Sequence, residues 1–84
     1  MKEVFLEEII LSEGVIETIG RIMKYIGKRG FSPVGGPENI RYFVEGEFLF
    51  IKIPSHHEEE GEALHTLSVP SKHWSFVKIE GLVN

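Results

Sequence analysis

Four histidines, His56, His57, His65 and His73, stand in the C-terminal half of this 84-residue chain, with Glu58, Glu59 and Glu60 beside the first pair. Imidazole and carboxylate are the ligands that zinc, iron, nickel or copper takes where no thiolate is on offer. The chain has no cysteine, so disulfides and thiolate zinc sites are excluded. A loop bearing His56 and His57 beside a strand bearing His65 would bring two or three ligands together, with His73 a fourth candidate. The cofactor implied is then a divalent transition metal, and no other is suggested. The spacing matches no helical His-x-x-x-His pair and no loop signature. The plainer reading is four histidines on a solvated acidic surface.

Nucleophilic chemistry has less to draw on. No serine sits in a Gly-x-Ser-x-Gly turn. Ser55 directly precedes His56, but neighbours in sequence do not make triad geometry. An acid–base pair assembled from Glu58–Glu62 and a histidine would lie on a loop that reads as solvated. A non-catalytic protein is the expectation.

The elements that must position these residues belong to one small α+β domain spanning residues 1–84. Apolar residues make up 42% and charged residues 26%, ordinary globular values. The net charge of −4 argues against general nucleic-acid binding, which draws its affinity from neutralising phosphates. No apolar run approaches the ~20 residues that span a bilayer. The start Met1-Lys2-Glu3, followed by Glu7 and Glu8, does not suit a signal peptide. A cytoplasmic location without membrane contact is expected.

The clearest element is a helix after Ser12, a natural N-cap, with Glu13 in its first turn. Val15, Ile16, Ile19, Ile22, Met23 and Ile26 recur at helical spacing and form a stripe about 120° wide, as on a helix lying against a sheet. Lys28 and Arg29 close it, and Gly30 supplies the C′ position. Gly20 and Gly27 lie along one edge of that stripe. They either let the helix pack closely on its own sheet or mark where a helix of another subunit approaches.

Around the helix the chain reads as strands. Val4–Leu11 is expected to be a strand, with a short helix as the alternative. Phe31–Asn39 is a loop or irregular strand. Ile40–Ile53 is a hairpin about Glu45-Gly46, which would pair Val44 with Glu47 and Phe43 with Phe48. Ser55–Glu62 reads as a polar loop, 63–69 as strand or short helix, Pro70–His73 as a turn and Trp74–Glu80 as a last strand. The layout is one amphipathic helix on a mainly antiparallel sheet of four to five strands, β-α-β-β-β-β, or α-β-β-β-α if 63–69 is helical.

The hairpin is apolar on both faces. One face carries Ile40, Tyr42, Val44, Leu49, Ile51 and Ile53 for the helix; the other carries Phe43, Phe48 and Phe50 between Arg41 and Lys52. One helix shields one side. Each buried phenylalanine is worth about 1.5–3 kcal/mol, so a second copy, most simply in a dimer, is expected to cover them. The alternative is that Trp74, Phe76 and Val77 fold over them within the chain. The expected function is an interaction or regulatory module that self-associates through this aromatic face, with another protein as a further partner class.

Within Gly27–Gly61 the order Arg29-Gly30-Phe31, Gly35-Gly36, Arg41-Tyr42, a Gly46 turn and Ile53-Pro54-Ser55-His56 resembles the HicA toxin family, small messenger-RNA-cleaving proteins with a double-stranded-RNA-binding-type α-β-β-β-α fold. The resemblance covers under half of the chain. The family's catalytic histidine would follow Gly36, where this chain has Pro37-Glu38-Asn39. The resemblance therefore implies nucleic-acid or antitoxin contact through the helix and Arg41, without the cleavage.

Overall fold

A computed structural model describes residues 1–77. Strands β1 (Lys2–Val4) and β2 (Ile9–Leu11) precede helix α1 (Glu13–Lys28). Strands β3 (Phe31–Pro33), β4 (Arg41–Glu45), β5 (Phe48–His57), β6 (Gly61–Val69) and β7 (Trp74–Phe76) follow. An antiparallel five-stranded sheet is built on β5, and β2 with β7 forms a separate two-stranded sheet. The fold is α+β, with the helix on one side of the larger sheet.

Strand β5 organises this sheet. Strand β6 pairs with it from Leu49↔Val69 to His57↔Gly61. Along the other edge β4 pairs with Phe48–Lys52 and β3 with Ser55–His57. Pro54 sits at the seam where one partner gives way to the next. Its carbonyl accepts the Val34 N–H at 3.0 Å, so its amide position faces the same edge. A proline lacks the donor that a ladder needs, and here it falls where β4 has ended.

The helix meets the sheet through Val15 and Ile26, which are buried with Val4, Tyr42, Leu49, Ile51, Ile53 and Val69. Ile19, Ile22 and Met23 pack against that cluster, but Ile16 is exposed. Ser12 occupies the N-cap position with no side-chain cap bond, and its Oγ is buried without a partner. The Ser12 backbone instead does the joining: its N–H donates to the His73 carbonyl at 2.9 Å, and its carbonyl accepts from Val15 and Ile16.

Several expectations are corrected. Val4–Leu11 is not one strand. A 3₁₀ turn at Leu6–Glu8 splits it, and its halves enter different sheets. The hairpin loop is Gly46-Glu47, not Glu45-Gly46, so Val44 opposes Leu49 and Phe43 opposes Phe50. Gly46 has φ 60° and among the described residues no non-glycine residue has positive φ, the requirement of a II′ turn with glycine first. The shift is two residues along one strand, so each side chain keeps its face. Residues 55–57 and 61–62 continue the ladder instead of forming a loop. Residues 63–69 are strand, which removes the α-β-β-β-α alternative. The order among the described residues is β-β-α-β-β-β-β-β, two strands more than the expected β-α-β-β-β-β, because Val4–Leu11 is split and Phe31–Pro33 adds a strand. The expected last strand is described only through Val77, and 78–80 lie outside the described residues.

Candidate functional site

The sheet face away from the helix is set by the register. Glu3, Phe43, Phe50 and Ser68 lie side by side across four strands, and Phe48 follows Phe50 along β5 with ring centroids 6.3 Å apart. Phe48 is 47% exposed, and Phe43 and Phe50 are half-buried. Cations supply part of the cover: Arg41 lies 5.6 Å and Lys52 5.1 Å from the Phe43 ring centroid. Strand β7 goes elsewhere. Trp74 packs against the core cluster, donates its indole N–H to the Glu47 carbonyl at 3.2 Å, and stacks edge-on with Phe76.

This face holds a concave groove of about 930 Å³ bounded by Phe5, Leu6, Val34, Phe43, Lys52 and Leu64. Phe5 and Leu6, on the turn that interrupts the expected first strand, are more than half exposed, as is Leu64. The irregularity that the sequence pattern did not resolve thus adds two apolar side chains to the surface. At the groove edge Arg41 donates from Nε and Nη2 to both Glu3 carboxylate oxygens, at 2.9 and 2.7 Å. Those hydrogen bonds lower the Glu3 carboxyl below its ordinary range and raise the Arg41 guanidinium.

The histidines divide. His57 and His65 flank the Phe31 ring at 5.0 and 5.5 Å. His57 Nδ1 accepts the N–H groups of Glu59 and Glu60, and His65 Nε2 bonds Ser55 Oγ. His56 projects from the opposite sheet face, opposite Glu62. His73 lies in the 3₁₀ turn before β7, against the helix N-terminus. Among the described residues no group of three or more histidines and acids converges as metal ligands would.

The Ser55–His65 bond is a relationship the sequence reading missed. Ser55 and His56 are adjacent but face opposite ways, whereas Ser55 and His65 are diagonal neighbours on one face. Gly61, with φ 81° at the end of the hairpin turn, was the available signal for that register. Ser55 is 1% exposed, which keeps its hydroxyl from any substrate and makes the pair structural.

Gly20 and Gly27 are exposed, and a Cβ on either would meet nothing within 4 Å. They do not serve close packing of the helix on its own sheet. Both stand on the open side of the helix.

Comparison with protein-family models, curated proteins and solved structures gives no match. The HicA resemblance stands on its sequence elements alone; Pro37–Asn39, where the family histidine would follow Gly36, forms a 3₁₀ turn. No helix among the described residues is long and apolar enough to cross a membrane.

Proposed function

We propose that this chain is a non-catalytic interaction module that associates with a second copy of itself through Phe43, Phe48 and Phe50. The observation that carries the reading is the one-sided placement of the helix. It covers Leu49, Ile51 and Ile53, while the alternate residues of the same strand, Phe48 and Phe50, face away. Two such faces packed sheet to sheet at about 10 Å bury aromatic side chains from both copies. Arg41, Lys52 and Glu3 form a polar rim, the usual anatomy of an association surface. Phe5, Leu6 and Leu64 extend the apolar area into the groove.

The test is native mass spectrometry of the parent and of Phe48→Glu. A parent at twice the chain mass or more, and a folded variant that loses this contact, support the reading. Because Phe48 is half exposed and outside the core cluster, the variant should keep its circular dichroism spectrum. A monomeric parent at about 50 μM would end this reading, since specific associations that matter at cellular concentration persist there.

A further inference from the structure

The free edge of β6 is a second surface, independent of the aromatic face. Among the described residues no strand pairs with it. Its geometry follows from Pro54. The Pro54 carbonyl points to the β3 edge, so the even-numbered residues of β5 serve β3 and β4 and the odd-numbered ones serve β6. In the observed register the odd-numbered residues of β6 answer them. The backbone N–H and C=O groups of Glu62, Leu64, Thr66 and Ser68 therefore point outward.

This edge lacks the devices that keep edges apart. Gly61–Val69 contains no proline, lysine or arginine, and one charged residue, Glu62. The ladder to β5 runs without a bulge. Such an edge is a template for another strand.

We propose that β6 pairs antiparallel with β6 of a second copy about a two-fold axis at His65, joining two five-stranded sheets edge to edge. Symmetry selects the register. Centred on His65, Glu62 opposes Ser68 of the other copy and Leu64 opposes Thr66, so all four outward residues of each strand find partners. Moving the axis to Leu64 or Thr66 leaves one of the four beyond the paired segment. The selected register also sets no like charges opposite one another. It carries the acidic turn Glu58–Glu60 of each copy toward Lys72 of the other, which follows β6 in the chain. That charge complementarity favours a second copy over an unrelated peptide.

Backbone amide exchange by NMR tests this, read beside native mass at about 10 and 500 μM. In the parent, the amides of Glu62, Leu64, Thr66 and Ser68 should exchange at least tenfold more slowly at the higher concentration. Those of Ala63, His65 and Leu67, held by β5, should not change. Thr66→Pro removes an outward donor without touching a β5 bond, and should abolish that protection and lower the assembly mass. Phe48→Glu should leave the edge protection intact, which separates this contact from the aromatic one. Should the outward amides stay fast at the higher concentration, the proposal is overturned, and the parent alone suffices to decide it. Protection that does not vary with dilution in a monomer would overturn it equally, because the edge would then be covered within the chain.

Discussion

His65 Nε2 lies 2.9 Å from Ser55 Oγ, a bond across the β5–β6 ladder that satisfies a serine hydroxyl on the helix side of the sheet. A buried hydroxyl that loses its partner costs about 1–3 kcal/mol. His65→Ala should therefore destabilise the fold by about that amount. Ser55→Ala combined with His65→Ala should cost less than the sum of the single changes, with a coupling of at least about 0.5 kcal/mol. Urea denaturation of the four proteins gives the answer, and strict additivity would show that the bond contributes nothing.

His57 works differently, as a staple for the turn it precedes. Its Nδ1 accepts from Glu59 and Glu60 at 3.1 and 3.0 Å, much as a capping side chain holds the free amides of a helix end. His57→Ala should cost about 1–2 kcal/mol. Asparagine at the same position offers an oxygen at similar reach and should recover about half of the loss. Equal losses for the two variants in denaturant melts would assign the effect to ring packing on Phe31.

Glycine substitutions should split by position. Gly20→Ala and Gly27→Ala place a methyl group in open space on the helix, so each should stabilise by about 0.5–1 kcal/mol. Gly30→Ala should do the opposite. Gly30 has φ 87°, and an added Cβ would stand 2.9 Å from His57 Nε2. Thermal melts of three single variants check the signs; a destabilising Gly20→Ala would reveal a contact on that side of the helix.

The Glu3–Arg41 pair sets an acid-side dependence. The folded-state carboxyl of Glu3 is lowered from its ordinary 4.5. Its contribution is therefore complete above that ordinary value and is lost as pH falls through the folded one. Arg41→Met should raise the Glu3 titration midpoint and flatten the acid-side fall of melting temperature. An NMR titration of the Glu3 side chain reads the shift directly, and an unmoved midpoint would mean that the pair is not formed in solution.

The helix was legible because Val15, Ile19, Ile22, Met23 and Ile26 repeat with its period between a serine and a glycine that suit its ends. The two faces of the β4–β5 hairpin were legible for the same reason at period two, even though the turn was misplaced. What stayed hidden depends on partners distant in sequence. His56, His57 and the glutamates that follow have a loop's composition, yet β3 and β6 hold His56 and His57 in a strand. Phe5-Leu6-Glu7-Glu8 has a strand's apolar content, but its two flanks are claimed by different sheets, and the chain must turn between them. The aromatic surface was visible in outline. Its groove was not, because Phe5, Leu6, Val34 and Leu64 meet only in three dimensions.

The seam at Pro54 divides the sheet into two plates. Arg41–Glu45 braces one end of β5 and Phe31–Pro33 the other. Among the described residues the stretch between Lys52 and Ser55 has β6 as its one paired strand, with a single Val34–Pro54 hydrogen bond on the other edge. Two-stranded ribbons carry a larger twist than wider sheets, and this neck is the narrowest part of the sheet around β5. The groove straddles it, with Phe43 on one plate and Val34 on the other. The two walls of the groove are thus joined through a short two-stranded ribbon, so a substitution in that ribbon touches both walls at once.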